Sequence, residues 1–292
     1  NVTGPSAGLP RARRARHLAA MARAMELLGE TEQAEHQFAE SLDLLPTLDE
    51  ARSALARLRM PGQDYLARLS DLHDLLRPEI YLEIGVFKGQ SMALAGASTL
   101  AIGVDPRPCL SQVCLAQVHL HPVASDVFFD QHAQHSRIPG AVNLGFIDGL
   151  HDVFQVIRDL WNLEASCAPD AIIAVHDTLP LDALSASRAR ETGFWTGDVW
   201  KVLPLLQCER PDLAVVTIPT PPSGLTLIAG FGRRRDGLGH AQAEAIARNR
   251  YGALSFSDFD CDWRPGLAMI DNSRDALERW LLEVRQPMMP AR

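Results

Sequence analysis

The chain has 292 residues, 47% of them apolar, which is enough for one substantial hydrophobic core and a small additional module. Its net charge of −8 disfavours nucleic acid as a partner, because proteins that bind DNA or RNA usually present a basic face. Five cysteines without a CxxC pair indicate reduced thiols and no zinc ribbon. Neither an apolar leader nor a run of roughly 20 apolar residues is visible, so we expect a cytoplasmic protein without membrane contacts.

The N-terminal region is predicted to be helical after a short tail. Residues 1–14 are rich in small and basic residues and are predicted to be disordered, whereas residues 15–60 carry apolar side chains at helical spacing. The apolar positions fall into two runs, at 18–28 and at 34–45. Two runs at this spacing predict a small all-α segment in the form of a hairpin.

Four positions of this hairpin are similar to the second half of a tetratricopeptide repeat. They are Gly29, Ala34, Phe38 and Pro46, although an ordinary helical hairpin explains the pattern equally well. A single repeat cannot bury its own apolar face. The hairpin should therefore pack on the main domain or on a second subunit, which leaves a homodimer open.

From residue 61 to about 235 the chain alternates between helical stretches and short apolar runs. A helix at 64–77 ends before Pro78 and is followed by apolar runs at residues 80–84, 100–104, 118–123, 142–147 and 171–175. This alternation predicts an α/β fold with a doubly wound parallel sheet. Two last strands, at 213–218 and 225–229, are joined by a short Pro-rich link that favours an antiparallel hairpin. Residues 236–292 are predicted to form a helical and loop extension.

The first candidate ligand site is the turn after the strand at residues 80–84. Gly85 and Gly89 permit a tight turn and a close backbone approach to a ligand, and a helix is predicted to begin near Gly89, with Ser91 beside it. Glu83 could accept a hydrogen bond from an ammonium group, and the helix N-terminus would attract a carboxylate. An amino-acid zwitterion matches both features, whereas the spacing is neither the dinucleotide fingerprint nor a P-loop.

Three polar residues after the next two strands extend this candidate cofactor site. Asp105 ends the second strand about twenty residues after the glycine turn, where a carboxylate can accept hydrogen bonds from both ribose hydroxyls. As an alternative, Asp105 is a turn residue before Pro106. Ser125 and Asp126 follow the third strand, where such folds contact adenine, although Asp126 could equally cap the next helix.

Two adjacent strands each end in an aspartate with a histidine nearby. Asp148 is followed by His151, and Asp177 is preceded by His176. Ligands bind at the carboxyl ends of strands in open α/β sheets, so these side chains are expected to converge beside the cofactor, with Asp148 contacting it. Two carboxylates suit Mg²⁺, while the His176 imidazole would also admit Mn²⁺, Fe²⁺ or Zn²⁺. Each residue taken alone would be an ordinary turn or polar residue.

The runs LEIGVFKGQS, GVDPRP, FIDGLH, VHDTLP and TGDVWK together resemble metal-dependent class I methyltransferases of the macrolide-sugar and cephalosporin-tailoring type. The resemblance covers roughly residues 78–230 and implies a Rossmann-like seven-stranded sheet that ends in an antiparallel hairpin, with S-adenosylmethionine as cofactor. It implies that Asp148 and Asp177 bind a divalent metal and that His151 is the catalytic base. His176 departs from the family, whose members carry Glu there.

The resemblance implies O-methylation of a small-molecule acceptor, such as a sugar or natural-product hydroxyl. His151 would remove the hydroxyl proton, for which an unperturbed histidine pKa of roughly 6.5 is suited. Trp195 is either a wall of the acceptor pocket or a packing residue. Two other classes stay open: a metal-dependent hydroxylase-like or hydrolase-like enzyme on the same fold, and a non-catalytic binding module.

Overall fold

The computed structural model describes residues 8–231 and 238–285. In these ranges the strands are β1 (Ile80–Ile84), β2 (Leu100–Val104), β3 (Gln117–His121), β4 (Val142–Ile147), β5 (Cys167–His176), β6 (Ala214–Ile218) and β7 (Leu225–Ala229). The α-helices are α1 (Gly8–Leu27), α2 (Thr31–Leu44), α3 (Asp49–Arg59), α4 (Tyr65–Leu76), α5 (Ser125–His135), α6 (Val153–Glu164), α7 (Val202–Glu209), α8 (His240–Ile246), α9 (Phe256–Asp258) and α10 (Arg274–Val284). Short 3₁₀ or π segments lie at Met92–Leu94, Val199–Lys201, Ala247–Tyr251, Phe259–Trp263 and Arg264–Gly266.

The strands form a seven-stranded sheet in the order β3-β2-β1-β4-β5-β7-β6. Strands β1 to β5 are parallel to one another, whereas β7 is antiparallel to both β5 and β6. The predicted Rossmann-like sheet with a final antiparallel hairpin is therefore confirmed. The chain runs outward from β1 to β3 and then returns to β4 on the other side of β1, which opens a crevice between the carboxyl ends of β1 and β4.

Both faces of the sheet are buried, as the nearly continuous apolar runs of its central strands require. Alternate side chains of one strand enter different cores: Leu82 joins one core and Tyr81 the other. The first core is built with helices α2, α3, α5, α6 and α7. The second is covered by α4 and α10. The sheet is thereby held rigid between two helical layers, and its strand ends are free to carry a site.

The N-terminal region departs from the predicted hairpin in two ways. Helix α1 begins at Gly8, so residues 8–14 are helical and not a disordered tail; residues 1–7 lie outside the described part. Ala15 and Ala22 are fully buried, and the Ser41 hydroxyl of α2 donates to the Ala15 carbonyl at 2.9 Å. These contacts hold α1 against α2. After Pro46 a separate third helix, α3, continues the segment. The likeness to a tetratricopeptide repeat stays a prediction.

The crossover from β1 to β2 lacks the helix predicted near Gly89. Only the 3₁₀ turn Met92–Leu94 forms there, and the residues that follow it include Gly96, Ser98 and Thr99, which are poor helix formers. The expectation that a helix N-terminus faces a bound carboxylate at this turn is therefore wrong.

The C-terminal extension closes the open edge of the sheet. The backbone of Thr217 in β6 donates to Ala268 at 2.8 Å and accepts from Ile270 at 3.2 Å. Arg274 of α10 pairs with Asp71 of α4 at 2.7 Å. Within the described ranges, no helix combines the length and the apolar character needed to cross a membrane.

One buried arginine connects the N-terminal helices to the sheet domain. Arg52 of α3 is 1% exposed and donates through Nε at 3.0 Å and Nη2 at 2.7 Å to Oδ2 of Asp182.

We predict that Arg52→Ala lowers the free energy of unfolding by about 3 kcal/mol, because it deprives Asp182 of its cation and opens a cavity. Arg14→Ala, which removes an exposed pair with Glu40, should cost less than about 1 kcal/mol. Urea unfolding of both variants measures the difference, and equal losses would contradict the prediction.

Candidate active site

Gly85 marks the point where the turns after β1 and β4 touch. Its φ is +90°, and a Cβ atom there would lie 2.0 Å from the Asp148 carbonyl oxygen. The Asp148 N–H in turn donates to the Ile84 carbonyl at 2.8 Å. The backbone leaves no space for a side chain, so glycine is required here to hold the floor of the crevice.

Asp105, which directly follows β2, accepts hydrogen bonds from the backbone of the glycine turn. Its Oδ2 accepts from the N–H groups of Val86 at 3.0 Å and Phe87 at 2.9 Å, and its Oδ1 accepts from Arg107 N–H at 2.7 Å. The carboxylate also lines the cavity described below. Asp105 is therefore a turn residue, one of the two alternatives that the sequence left open, and its role in binding ribose stays a prediction.

Glu83, Gly89 and Ser91 do not line this cavity. The Glu83 carboxyl is fully buried and accepts from the Ser91 hydroxyl at 2.6 Å and from the Tyr81 hydroxyl at 2.8 Å. Burial raises the pKa of Glu83 to about 8. A Cβ atom on Gly89 would meet the Leu110 side chain at 2.5 Å. The structure thus places these three predicted cofactor residues behind the turn, where they support it.

Ser125 and Asp126 are separated by the cavity wall. Ser125 lines the cavity, whereas the Asp126 side chain is 49% exposed and pairs with Arg158 at 3.4 Å. Sequence reasoning missed Gln155 and Asp159 of α6, which also line the cavity; the Gln155 amide donates to Ser125 Oγ and to Asp159 Oδ1 at 3.0 Å each. Their signal was two polar residues four positions apart on a helix whose buried neighbours are apolar.

The four polar residues predicted at the ends of β4 and β5 do converge. His151 Nδ1 lies 3.0 Å from Asp177 Oδ2, and its Nε2 lies 3.5 Å from Asp148 Oδ1. His176 Nδ1 lies 3.2 Å from the same Asp148 oxygen. His151 and Asp177 have φ values of +58° and +62°, a conformation that non-glycine residues adopt only when their surroundings hold them there.

The four groups shift one another's pKa values. Burial alone would lower the pKa of His151, but the charge of Asp177 and hydrogen bonds with Asp148 and Asp177 raise it to about 11. Burial would also lower the pKa of His176, but the negative charges of Asp177 and Asp148 outweigh this effect and raise it. The positive charge of His176, with His151, holds the pKa of Asp148 well below its usual range against the effect of burial. His151 is thus far from the unperturbed pKa assumed from sequence.

Three of the four residues are arranged as a possible metal site. Donor atoms of Asp148, His151 and Asp177 all lie within 4.8 Å of one another. His176, predicted as a ligand, packs its ring on Tyr65 with 4.0 Å between centroids and turns Nε2 towards the Ser223 hydroxyl at 3.3 Å. His176 Nδ1 nevertheless lies 3.2 Å from Asp148 and 3.5 Å from Asp177, so the predicted role of His176 as a metal ligand stays a prediction.

Two segments that the sequence did not connect complete the site. The Trp195 ring stacks on His151 with 5.1 Å between centroids and 18° between planes, and its carbonyl oxygen lies 3.1 Å from His151 Nδ1. The Ser223 hydroxyl, in the link between β6 and β7, donates to Asp177 Oδ1 at 2.5 Å. Trp195 was a candidate pocket wall, whereas nothing in the Pro-rich link singled out Ser223.

These residues surround one cavity of about 980 Å³ at the carboxyl edge of the sheet. Its lining includes Gly85, Asp105 and Ser125 together with His151 and Trp195. A cavity of this size is at the upper end of the range for small-molecule sites, which leaves room for two ligands side by side.

Comparison with known protein families identifies a methyltransferase domain. The matching family model, described as "Methyltransferase domain", covers residues 82–178, about a third of the chain. These residues run from β1 to the end of β5 and include the glycine turn, Asp105 and the histidine–aspartate cluster. No curated protein matches the sequence.

Several solved structures are similar to this chain. Cofactor-bound Rv0187 from MTB is 16% identical, with a TM-score of 0.45 over 64% of this chain and 90% of that one. An O-methyltransferase from Bacillus cereus in complex with SAH is 12% identical, with a TM-score of 0.43 over 65% and 96%. The O-methyltransferase TomG from Streptomyces achromogenes, involved in tomaymycin synthesis and in complex with SAM, is 15% identical, with a TM-score of 0.42 over 62% and 88%.

The contact between Gly85 and Asp148 generates a test of the crevice floor. We predict that Gly85→Ala lowers the free energy of unfolding by about 2 kcal/mol or more, because the added methyl group meets backbone and the residue keeps a positive φ. Gly96→Ala is the matched control, since a Cβ atom there meets nothing within 4 Å. Denaturant unfolding compares the two, and a Gly85→Ala protein as stable as Gly96→Ala would show that the turns do not meet as described.

Proposed function

We propose that this protein is an S-adenosylmethionine-dependent methyltransferase that methylates a hydroxyl group of a small molecule. The observation that carries the proposal is one large cavity that is lined by both the glycine turn and the histidine–aspartate cluster of the matched methyltransferase domain. A transferase that joins two substrates needs a donor end and an acceptor end in one enclosure.

The donor end fits S-adenosylmethionine by its polar groups. Three backbone N–H groups already orient the Asp105 carboxylate, two on Oδ2 and one on Oδ1, so Oδ1 keeps a lone pair that can accept a hydrogen bond from a ribose hydroxyl. Ser125 and the buried Asp159 line the same cavity and offer acceptors for an amino group. When bound, S-adenosylmethionine supplies an electrophilic methyl group on a sulfonium.

The acceptor end contains a base whose orientation is fixed. His151 Nδ1 lies near two acceptors, Asp177 and the Trp195 carbonyl, so Nδ1 carries the hydrogen and Nε2 is the atom that takes up a proton. The two neighbouring carboxylates keep the His151 imidazole protonated. A positive charge bound beside Asp148 would weaken their effect and bring the pKa of His151 back towards neutrality. The acceptor hydroxyl then loses its proton to Nε2, while Trp195 forms one wall of the pocket.

A divalent cation fits this end as well. Two carboxylates and one imidazole within 4.8 Å of one another are a donor set that Mg²⁺ or a first-row metal accepts. Asp148 and Asp177 would hold the ion, with His151 or His176 at its edge. Bound there, it would supply a Lewis acid that lowers the pKa of the acceptor hydroxyl.

The first experiment is calorimetric titration of the protein with S-adenosylmethionine, with Mg²⁺ and after chelation. We predict a dissociation constant in the micromolar range and a loss of affinity of about tenfold or more in Asp105→Ala, which removes the ribose acceptors and loosens the turn. Asp130→Ala is the control, because this exposed carboxylate of α5 does not line the cavity and should leave the affinity unchanged. An absence of binding under every condition would reject the methyltransferase proposal.

A second experiment concerns His151. We predict that His151→Ala lowers turnover by about 10²-fold to 10⁴-fold and leaves the affinity for S-adenosylmethionine within about twofold, because general-base catalysis is lost and cofactor contacts are not. Formation of S-adenosylhomocysteine in the presence of candidate sugar and aromatic hydroxyl acceptors is the readout, with exposed His36→Ala as the control. Turnover of an acceptor without S-adenosylhomocysteine would favour the non-methylating alternative, and normal turnover in His151→Ala would remove this residue from the mechanism.

A further inference from the structure

The loop between β5 and α7 forms the roof of the cavity. Residues 177–198, all of them described, adopt neither helix nor strand. Six residues of this roof loop line the cavity: Asp177, Arg190, Gly193, Phe194, Trp195 and Thr196. An irregular segment of this length needs specific contacts to hold one conformation.

The roof loop holds His151 directly. Trp195 provides both the stacked ring and the carbonyl oxygen at 3.1 Å from His151 Nδ1. Two residues further on, the loop touches the histidine backbone: a Cβ atom on Gly197 would lie 1.9 Å from the His151 carbonyl oxygen. A displacement of the loop at 193–197 would therefore move the imidazole or free it to rotate.

The outer side of the same loop is held by the N-terminal helices. Asp49, the first residue of α3, accepts hydrogen bonds from Gly193 N–H at 2.9 Å and from Phe194 N–H at 3.1 Å. The fit is close, since a Cβ atom on Gly193 would lie 2.3 Å from Asp49 Oδ2. Hydrogen bonds from backbone N–H groups to a carboxylate are stronger than neutral ones. The two donors directly precede Trp195 in the chain.

A second tether runs from α3 to the neighbouring part of the loop. Arg52 binds Asp182, whose Oδ1 accepts from Ser185 N–H at 2.8 Å. The Ser185 carbonyl in turn accepts from Thr196, from its N–H at 3.0 Å and from its hydroxyl at 2.8 Å. Both tethers begin within one turn of α3 and end on either side of Trp195, and they lie outside the matched methyltransferase domain.

We infer that Asp49 is a positioning residue: through Gly193 and Phe194 it holds Trp195 against His151, so that the N-terminal helices complete the active site. The inference rests on the proposed function for the role of His151. The contacts of Asp49 differ from those of a purely structural attachment, because its carboxylate binds the two N–H groups that directly precede the stacked Trp195.

The test compares Asp49→Ala with Asp49→Asn, which keeps one acceptor oxygen, and with Glu50→Ala, which removes the exposed acid next to it on the same helical turn. Hydrogen exchange located by mass spectrometry reports on the roof loop. For Asp49→Ala we expect exchange across 190–197 to accelerate about tenfold, as loss of charge-assisted hydrogen bonds requires, while strands β1 and β4 keep their protection. Asp49→Asn should restore most of this protection, and Glu50→Ala should match the unmodified protein.

Fluorescence of Trp195 reports on its contact with His151. The emission of Trp195 is obtained by subtracting the spectrum of a Trp195→Phe partner from each variant. Separation of the indole from the stacked imidazole changes its surroundings, so we expect Trp195 emission to change in Asp49→Ala and to stay the same in Glu50→Ala. Unchanged Trp195 emission and unchanged exchange at 190–197 would overturn the inference, as would faster exchange confined to α1–α3.

These readouts do not depend on the reaction. If the protein fails to bind S-adenosylmethionine, the proposed function falls, whereas exchange and fluorescence still decide whether Asp49 holds Trp195 on His151. Where an acceptor is turned over, Asp49→Ala should lower kcat and leave the KM for S-adenosylmethionine within about twofold, because the roof loop lies at the acceptor end. An Asp49→Ala enzyme with unchanged kcat would also overturn the inference.

Discussion

The pairing of two carboxylates with two imidazoles at the ends of β4 and β5 governs the chemistry of this site. Asp148 and Asp177 stabilise the protonated forms of His151 and His176, and each histidine stabilises the ionised form of Asp148. With both imidazoles protonated the cluster satisfies its own charge. A cation that enters it competes with these protons, so cation binding and proton release are linked at this site. In the proposed mechanism, the same exchange of charge would turn His151 from an imidazolium into a base.

The fold places this cluster by constraints on the backbone. Parallel strands end at one edge, so β4 and β5 bring Asp148 and Asp177 together whatever the intervening sequence does. Beyond the strands the backbone turns sharply, and His151 and Asp177 take left-handed conformations that cost of order 1–3 kcal/mol each. Contacts from Trp195, Gly197 and Ser223 hold them in that state. The site is thus rigid before any ligand arrives, which is the condition for catalysis by alignment.

The sequence predicts what is local or follows from strand order, and it fails where distant segments meet. Asp105, Asp148 and Asp177 each follow an apolar run, so their convergence could be predicted from the position of strand ends alone. Glu83 also ends a strand, but Tyr81 and Ser91 engage both of its oxygens, which no periodicity shows.

The same limit applies to contacts between elements far apart in the chain. Asp49 and Gly193 are 144 residues apart, and their contact depends on the packing of α3. Ser223 is one polar residue in a Pro-rich link. For such contacts the chain carries no pattern, because they arise only once the tertiary structure is complete.

The N-terminal helices contact the roof loop on the side that faces away from the cavity. In the proposed function the inner surface of the loop faces the acceptor, so the polar groups that would otherwise fix an irregular loop are not all available on that side. Hydrogen bonds from outside, through Asp49 and the Arg52–Asp182 pair, order the backbone without filling the cavity. The entropy lost in ordering the loop is then offset by packing of the helices on the sheet domain, where apolar burial supplies the free energy. Stability of the N-terminal segment and geometry at His151 are coupled by this arrangement.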